Sequence, residues 1–472
     1  MLKPESLSSI LYLMQKKSLY PQDYNPEESI VALATPWGES ALAVIRLSGG
    51  DSLGLLSGIF SRDGELIKAA GNTLHYGRIT EPDTEELIDE VMIAVYRAPK
   101  SYTGEESAEI FCHGNPAVIK RLIGLLTDSG FRYAQPGEFT LRAFMNGKLD
   151  LTRAEAVNEL IRARTDRARA LALNRLSGAI EGKIREIRDG LAGMLAGVEV
   201  RLDYPEEELE GEKDFIHEAE ERALEIEKLL ATYSIGKIVQ EGLVVAIAGR
   251  TNSGKSTLFN RLLKEERAIV SEFHGTTRDY LEGYISIEGI PLKLIDTAGL
   301  RKTGDPLEEE GIRRADEIIR NSDLLLYLVD GSIGLAAEDR ELISAYGDNK
   351  KLIAIWSKSD ISATGTPEGF IALSALDGTG IAELSREMVS RTAGNLSGST
   401  EERVIDSQRQ KELLERAFSS LEDFKKGLRG EVYLDLIAVD LKEAIDALGE
   451  ITGEVTSVDI LNRMFKDFCV GK

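Results

Sequence analysis

Apolar residues change their spacing along the chain, and each change marks a different kind of element. Residues 24–141 contain short apolar segments rich in β-branched residues, among them SIVALAT, ALAVIRLSG and EVMIAVY, which glycine and proline separate. This pattern predicts strands joined by turns. From Asn146 to Glu199 there is no proline and apolar residues recur every three or four positions, which predicts helices. A further charged helix is expected to follow and to end near Tyr233.

Strand and helix patterns alternate in residues 242–391, where apolar segments such as LVVAIAG, LLLYLVD and LIAIWSK are separated by helical patterns. This alternation predicts a mainly parallel sheet with helices on both faces. Residues 392–402 have the small polar composition of a linker, and residues 403–469 are again helical in pattern. We therefore predict that the helices on either side form one domain, which the α/β module interrupts.

Composition bounds the class of protein. The 472 residues suffice for two to four domains, and the sequence contains no run of about eighteen apolar residues that could cross a membrane. Cys112 and Cys469 are too few for a disulfide framework, so a reducing cytoplasm is the expected location. Residues 1–23 carry only a short apolar patch and are interpreted as a disordered leader or a start-site artefact.

The net charge of −23 argues against a protein coated uniformly by nucleic acid. The charge is uneven, however, because residues 142–188 hold eleven Lys or Arg against six Asp or Glu. These residues are interpreted first as solvated helix faces. The alternative is a local basic strip able to meet phosphate.

The segment GRTNSGKS, from Gly249 to Ser256, matches the phosphate-loop pattern G-x-x-x-x-G-K-[ST]. It lies between a predicted strand and a predicted helix, which distinguishes it from an ordinary glycine-rich turn. In such a loop the backbone amides and the helix N-terminus hold phosphate groups. Lys255 is expected to reach the β- and γ-phosphates, and the Ser256 hydroxyl is expected to bind Mg²⁺.

Further short motifs follow in the order expected of a guanine-nucleotide hydrolase. GTTRD offers Thr277 as a second Mg²⁺ ligand, while DTAG offers Asp296 for the metal and the Gly299 amide for the γ-phosphate. In SKSD, Asp360 can accept from two donors that guanine presents together and adenine does not. The SAL segment (374–376) can close over the base oxygen. Together these motifs predict GTP as the nucleotide.

Two positions depart from the usual pattern. Ser357 stands where most such hydrolases have Asn, so a modest affinity for the base is expected, while Asp360 keeps the choice of guanine. Leu300 stands directly after DTAG, where Ras-like enzymes have a water-orienting Gln. A carboxylate of DPLEEEG (305–311) is the expected replacement, and no arginine near these motifs stands out as a finger.

Longer motifs carry a resemblance to a known family. They are SYTGEESAEIFCHG (101–114), PGEFTLRAFMNGKLDLTRAEAVNELI (136–161) and, at 449–472, GEITGEVTS…FCVGK. Together with the nucleotide motifs, they resemble the bacterial tRNA-modification GTPase family MnmE, also called TrmE. The resemblance covers about 450 residues, all but the leader.

The resemblance implies an α/β multidomain fold. A β-rich N-terminal domain (24–143) would bind tetrahydrofolate and pair to form a homodimer. A discontinuous all-helical domain (144–241 and 403–472) would be interrupted by a Ras-like P-loop G domain (242–391) with a mainly parallel sheet, followed by the linker.

The resemblance also implies how phosphate charge is stabilised and how water is oriented. The family uses K⁺ in place of an arginine finger, and a fixed cation can offset charge that develops on the phosphate. By position, the Asn252 side chain and backbone oxygens near Ser271, Phe273 and Thr276 would bind K⁺. Glu308 matches the family's water-orienting glutamate.

The expected catalytic set is Glu308, Lys255 and Thr277. The residues expected to contact the nucleotide are Gly249, Asn252, Ser253, Gly254, Lys255, Ser256, Thr257, Asp296, Gly299, Lys358, Asp360, Ser374 and Ala375.

For the folate site, the positions that match the family are Arg46, Glu109, Lys148 and Lys472. Basic groups suit the glutamate tail of a folate, and a carboxylate can accept a pair of hydrogen bonds from the pterin. Cys469 matches a tail cysteine that sits near the folate and is a candidate for a role in modification.

The implied activity is installation of an aminomethyl or carboxymethylaminomethyl group at carbon 5 of the tRNA wobble uridine. The one-carbon unit would come from a tetrahydrofolate derivative (5-formyl- or methylene-tetrahydrofolate), and the partner would be the FAD- and NADH-dependent protein MnmG (GidA). Two other functions stay open at this point. One is a GTPase switch in ribosome assembly or translation with RNA-binding flanking domains. The other is a folate-binding scaffold whose G domain regulates an interaction without catalytic turnover.

Overall fold

The computed structural model of the protein describes most of the chain in two compact units. The described residues are 25, 27–62, 64–203, 215–265, 267–268, 281–297, 307–346, 351–393, 403–430, 433–466 and 468–472, of which 267–268, 307–312, 314, 392 and 393 are described by their backbone alone. The first unit contains the described parts of residues 1–158, 175–222 and 416–472, and the second contains those of 159–174 and 223–415. The predicted leader lies outside the described residues.

The described part of the first unit contains a six-stranded sheet, in the order β3-β4-β5-β2-β1-β6. Its strands are β1 (Ile30–Leu33), β2 (Ser40–Ser48), β3 (Thr73–Thr80), β4 (Leu87–Tyr96), β5 (Ser107–Gly114) and β6 (Arg132–Tyr133). Neighbouring strands are antiparallel except β1 and β6, which are parallel. Alternate residues face the core, so in β2 Ala43 and Ile45 are buried whereas Leu42 is exposed.

Four helices accompany this sheet, namely α1 (Ser52–Ser57), α2 (Glu65–Lys68), α3 (Pro116–Asp128) and α4 (Glu138–Met145). The prediction of strands and turns throughout 24–141 was therefore wrong at α3. The Asn115 side chain caps this helix by accepting from the amides of Ala117 and Val118. Its buried side chains recur every three or four residues and pack on the sheet, at Ile119, Leu122, Leu125 and Leu126.

The region after the sheet is helical, as predicted. It consists of α5 (Leu151–Arg162), α6 (Asp166–Leu176), α7 (Ala179–Asp203) and α8 (Phe215–Glu241). The helix that was expected to end near Tyr233 continues for about two more turns. The division between the units falls inside α5, α6 and α8, so each of these helices contributes residues to both units.

The second unit contains the predicted alternation of strands and helices. Its strands are β7 (Leu243–Gly249), β8 (Arg267–Ala268), β9 (Leu281–Ile287), β10 (Ile290–Asp296), β11 (Leu324–Asp330), β12 (Leu352–Ser357) and β13 (Phe370–Leu373). Its helices are α9 (Lys255–Glu265), α10 (Leu307–Asn321), α11 (Ala337–Tyr346) and α12 (Ile381–Ala393).

The sheet of the second unit has the order β13-β12-β11-β7-β10-β9-β8. The strands from β13 to β10 in this order are parallel, while β9 is antiparallel to β8 and β10. The predicted mainly parallel sheet is confirmed. The pattern analysis did not identify β9, a short segment in which apolar residues alternate with polar ones. The carboxyl ends of the parallel strands meet at one edge, where the loops carry the predicted motifs.

The remaining helices are α13 (Gln408–Arg429), α14 (Leu434–Thr452) and α15 (Val458–Lys466). In the first unit α14 packs along α7. A separate apolar cluster joins α4, α5 and α15, and it contains Leu141, Met145, Leu151, Ala154, Leu461, Phe465 and Phe468. Among the described helices, none is both long and apolar enough to cross a membrane.

A buried ion network joins α4 to the segment before β5. Arg142 is fully buried, and its guanidinium donates to Glu138 on the same helix and to Glu105, both at 3.0 Å. Burial raises the pKa of Glu138, but the hydrogen bond from Arg132 and the charge of Arg142 outweigh it, so the pKa lies below its usual value. A buried guanidinium is tolerated when carboxylates match its charge and hydrogen bonds. The network therefore fixes the position of α4.

Replacing Arg142 by alanine should leave Glu138 and Glu105 without their shared cation. Removing one partner from a buried ion network costs about 3–5 kcal/mol. Hydrogen exchange of peptides from β2 and β5 should therefore accelerate by a factor on the order of 100 to 1,000. Arg78→Ala is the control, because Arg78 is 59% exposed in its pair with Glu90 and its loss should cost less than about 1 kcal/mol. Similar exchange in the two variants would contradict a structural role for the network.

Candidate functional site

The loop between β7 and α9 has the backbone conformation that a phosphate-binding loop requires. Gly249 has a φ of 145°, and a Cβ atom there would lie 2.4 Å from the Leu328 carbonyl oxygen, so no side chain fits. Gly254 has a φ of 93° and Asn252 a φ of 65°, both in the left-handed region. The loop leads directly into the first turn of α9, where backbone amides can hold an anion.

Lys255 and Ser256 occupy that first turn. The buried Lys255 ammonium donates to the carbonyl oxygens of Gly249 and Arg250, at 2.9 and 2.7 Å, and so lies across the inside of the loop. The Ser256 hydroxyl donates to Oδ2 of Asp296, at the end of β10, over 2.8 Å. The fold thus brings together a hydroxyl and a carboxylate, and oxygen ligands of this kind suit Mg²⁺.

Ser357, at the end of β12, contacts the phosphate loop from the side of the sheet. Its buried hydroxyl lies 2.7 Å from the carbonyl oxygen of Ser253 and 2.9 Å from that of Val329, and it shares its single hydrogen between them. Ser253 belongs to the phosphate loop and Val329 to β11. The serine that departs from the usual motif therefore links the loop to two neighbouring strands.

The rest of the SKSD motif lies in the loop after β12. Lys358 has a φ of 54°, and its ammonium pairs with Asp330 at 2.6 Å. Asp360 follows with an exposed side chain. The strained lysine is held by an ion pair to the end of β11, and this contact places the Asp360 carboxylate at the same edge of the sheet as the phosphate loop.

The loop after β13 is connected to the same edge. Ser374 is buried there, and Ala375 packs against the apolar core of the second unit. Arg261 of α9 donates to the carbonyl oxygens of Leu376 and Asp377, each at 3.3 Å. The helix that begins at the phosphate loop therefore also supports the loop predicted to close over the base.

Several predicted residues of this site cannot be placed. Ser271, Phe273, Thr276, Thr277 and Gly299 lie outside the described residues, and Glu308 is described only by its backbone, in the first turn of α10.

A second candidate site is a cavity of about 220 Å³ in the first unit. Its walls are formed by Arg46, Leu47, Tyr96, Tyr102, Thr103, Ser107, Ala108, Glu109 and Phe139. Two of the predicted folate residues, Arg46 and Glu109, are register partners on β2 and β5 and form an ion pair of 2.8 Å. The Arg46 guanidinium also lies 5.9 Å from the ring centre of Tyr102 and 5.8 Å from that of Phe139.

Residues 468–472 reach the same site. The Arg46 guanidinium donates to the carbonyl oxygen of Gly471 over 2.9 Å. Gly471 has a φ of 92°, and a Cβ atom there would lie 2.6 Å from a carbonyl oxygen of β1, so this approach requires glycine. Burial, together with the positive charge of Arg46, lowers the pKa of Lys472 from its usual value. Cys469 is exposed.

Lys148 and Lys472 are predicted folate residues that are not among the residues lining the cavity, and Lys148 lies on a neighbouring loop. The exposed Lys148 ammonium donates to the Pro99 carbonyl oxygen at 2.9 Å, on the loop that leads to Tyr102. Sequence reasoning in turn missed Tyr102, Thr103 and Ser107 as cavity residues. The available signal was the hydroxyl-rich motif SYTGEES, from which no individual residue had been selected.

Two family models match the chain. The family model described as "GTP-binding protein TrmE N-terminus" matches residues 29–148, and the model described as "MnmE helical domain" matches residues 151–469.

The curated relatives that match are named tRNA modification GTPase MnmE. That of Lactobacillus gasseri is 41% identical over 455 residues, which cover 94% of this chain and 98% of the relative. That of Aquifex aeolicus is 42% identical over 453 residues, which cover 94% and 100%. That of Borrelia turicatae is 41% identical over 461 residues, which cover 95% and 99%.

Replacing Ser357 by alanine should loosen the phosphate loop, since the Ser253 carbonyl loses its donor. A hydrogen bond of this kind contributes about 1 kcal/mol, so amides of residues 249–256 should exchange roughly five times faster. Ser362→Ala is the control, because Ser362 follows the same strand and donates to the carbonyl oxygens of Gly331 and Thr364 instead. Unchanged exchange in the Ser357 variant would show that its hydroxyl does not hold the loop.

Proposed function

The chain belongs to the MnmE family of tRNA modification GTPases, and from this premise we propose a K⁺-dependent GTPase that modifies the wobble uridine of tRNA. With an FAD- and NADH-dependent partner of the MnmG (GidA) kind, it installs an aminomethyl or carboxymethylaminomethyl group at carbon 5. The one-carbon unit comes from a tetrahydrofolate derivative. The observation that carries the proposal is the phosphate loop, with its glycine backbone and its Ser256–Asp296 contact, in a chain related to this family over nearly all its length.

In the second unit, GTP is bound at the edge where the parallel strands end. Lys255 offers an ammonium to the β- and γ-phosphates, and Ser256 with Thr277 supplies oxygen ligands for Mg²⁺. Asp360 accepts from guanine, and Ser374 with Ala375 closes over its oxygen. Contacts among the described residues support this assignment. Ser357, which precedes the loop of Asp360, is hydrogen-bonded to the phosphate loop, and Arg261 is hydrogen-bonded to the loop after β13.

Hydrolysis depends on a fixed cation and an oriented water. The Asn252 side chain would bind K⁺ together with backbone oxygens near Ser271, Phe273 and Thr276. The bound cation would offset the negative charge that develops on the phosphate. Glu308 orients the attacking water, a role that Leu300 cannot fill. The exposed Asn252 in the left-handed region, within the phosphate loop itself, supports this assignment.

The cavity of the first unit binds the folate. Arg46 and Lys472 suit the negatively charged glutamate tail, and the Glu109 carboxylate suits the N–H groups of the pterin. An apolar wall from Phe139 suits the flat ring, and the cavity encloses it on several sides. Lys148, on the adjoining loop, can meet a longer polyglutamate tail, and the exposed Cys469 thiol lies on the segment that reaches Arg46.

Two copies of the chain pair through the sheet of the first unit. On the face opposite the core, β2, β3 and β4 expose the large apolar side chains of Leu42, Leu74, Tyr76 and Met92, each more than two-fifths exposed. Apolar surfaces of this kind are buried in symmetric dimers. Arg46 and Glu109 belong to the same face, so dimerisation and folate binding use adjoining surfaces.

Potassium should be required for turnover. GTP hydrolysis in K⁺ and in Na⁺ at equal ionic strength should differ at least about tenfold, which corresponds to about 1.4 kcal/mol of barrier. Asn252→Ala should abolish this difference while nucleotide binding stays within a few-fold of the unchanged protein. Thr251→Ala, at the neighbouring exposed position, should keep the dependence. Equal rates in the two salts would rule out the cation site.

The cellular role is tested by mass spectrometry of tRNA nucleosides. A strain without this gene should lack the carbon-5 modification at wobble uridines, and the unchanged gene should restore it. Lys255→Ala should fail to restore it, because the ammonium inside the phosphate loop is lost. Lys264→Ala, an exposed lysine on the same helix, should succeed. Intact wobble uridines together with altered ribosomal subunit profiles in the deletion strain would favour the ribosome-assembly alternative.

A further inference from the structure

At the closed end of the cavity in the first unit, a group of hydroxyls is hydrogen-bonded to the half-buried carboxylate of Glu105. The Ser48 hydroxyl lies 2.8 Å from Oε2 of Glu105, and the same oxygen accepts from Arg142 at 3.0 Å. Ser48 Oγ lies 2.7 Å from Thr103 Oγ1 and 3.1 Å from Ser107 Oγ. Thr103 and Ser107 are buried and line the cavity. The carboxylate is therefore connected to the cavity wall through hydroxyl groups.

The direction of these hydrogen bonds follows from the chemistry of Glu105. A carboxylate held by a guanidinium accepts, so Ser48 donates its single hydrogen to it. The Ser48 oxygen then accepts the hydrogen of Thr103 over the short 2.7 Å contact. The hydrogen of Ser107 has acceptors within the network, at 3.1 Å on Ser48 Oγ and at 3.2 Å on the Glu105 carbonyl. Ser107 thus presents lone pairs to the cavity.

A second acceptor lies beside the first. Ser107 and Glu109 are two residues apart on β5, so their side chains point to the same face of the sheet, about 7 Å apart along the strand. Their register partners on β2 are Ser48 and Arg46. Ser107 is 7% exposed and the Glu109 side chain 19%, which places Ser107 deeper in the cavity. The wall therefore offers two acceptors in line, one at the closed end and one toward the opening.

We propose that this wall reads the reduction state of the pterin ring, with Ser107 as the residue that determines specificity and Ser48 as the positioning residue behind it. The proposal rests on the folate site proposed above. A reduced pterin carries an N–H donor at ring nitrogen 8, whereas the fully oxidised ring has an aza nitrogen there that only accepts. The acceptors of the cavity wall can form a hydrogen bond with the N–H of a reduced ring. They cannot form one with the aza nitrogen of the oxidised ring, because both groups then carry lone pairs.

The expected preference for reduced folates is moderate. The internal hydrogen bonds available to Ser107 are long, at 3.1–3.2 Å, so its hydroxyl can turn toward an acceptor at the cost of one weak hydrogen bond. Such a cost corresponds to a change in affinity of about tenfold. The Thr103 hydroxyl is less free to turn toward the ligand, because its hydrogen bond to Ser48 is shorter.

Calorimetry of the full chain with 5-formyl-tetrahydrofolate and with folic acid tests the proposal. The unchanged protein should prefer the reduced ligand by about tenfold or more. Ser107→Ala should weaken binding of the reduced ligand about tenfold and of folic acid less than threefold, so the preference nearly disappears. Ser48→Ala should also shrink the preference although Ser48 does not line the cavity, because the hydrogens of Thr103 and Ser107 become able to turn into it.

Two comparisons separate this effect from a loss of folding. Ser52→Ala removes another fully buried hydroxyl of the same unit, one that donates to the Glu106 carbonyl at 2.9 Å outside the cavity. It should keep the preference. The double variant Ser48→Ala/Ser107→Ala should show a preference no larger than that of Ser107→Ala alone, since the freed hydrogen of Thr103 can only add a donor to the cavity wall.

The possible outcomes are distinct. If the unchanged protein binds neither ligand, the proposed folate site itself is wrong. If it binds both ligands equally and Ser107→Ala alters neither affinity, the folate site stands and the reading of reduction state is wrong. A preference that Ser107→Ala removes and Ser48→Ala leaves intact would overturn the positioning role of Ser48 and the network behind it.

Discussion

The Arg142 guanidinium is withdrawn from water, and its charge has to be matched by carboxylates from two parts of the chain. Glu138 comes from its own helix, and Glu105 from the segment before β5. Meeting this requirement brings α4 against the sheet, which places Phe139 in the cavity wall and directs the apolar side of α4 toward α5 and α15. The shape of the cavity and the surface that residues 468–472 contact therefore depend on the buried charge of Arg142. The same carboxylate that satisfies Arg142 also orders the hydroxyls at the closed end.

In the second unit, hydrogen bonds from a serine hydroxyl and an arginine guanidinium to backbone carbonyls have the corresponding role. Ser357 connects the phosphate loop to β11 and β12, and Arg261 connects α9 to the loop after β13. Each such bond contributes only about 1 kcal/mol, so these loops can rearrange at small cost. A rigid, charge-held cavity suits the retention of a cofactor, whereas loosely held loops suit a site that must change with the state of its nucleotide.

The sequence predicted the second unit well because its signals are local. The phosphate loop, with the strand before it and the helix after it, spans few residues, and the glycine positions follow from backbone geometry. The cavity of the first unit was different. Arg46 and Glu109 are 63 residues apart, and only the antiparallel register of β2 and β5 makes them partners. Their assignment came from resemblance, since neither spacing nor composition could supply that register.

The errors have physical reasons of the same kind. The sequence analysis did not predict α3, because proline was interpreted as the mark of a turn between strands. In the structure Pro116 occupies the first helical position, where a backbone N–H would have no partner within the helix. Lys148 matches its family position, yet its ammonium binds the Pro99 carbonyl outside the cavity. Tyr102, Thr103 and Ser107 were not selected because a buried hydroxyl gains meaning only from the partners that tertiary structure supplies.

The backbone at Asn252 adds an argument for the cation site that the motif alone does not provide. A residue other than glycine with a φ of 65° bears a conformational cost, which glycine at the same position would avoid. The cost is smaller for Asn than for most residues, but it is still larger than for glycine. The other strained positions of the loop, Gly249 and Gly254, do carry glycine. At position 252 of the loop, glycine would adopt the observed φ at a lower conformational cost than Asn. The exposed Asn252 side chain is explained if its amide oxygen binds a ligand.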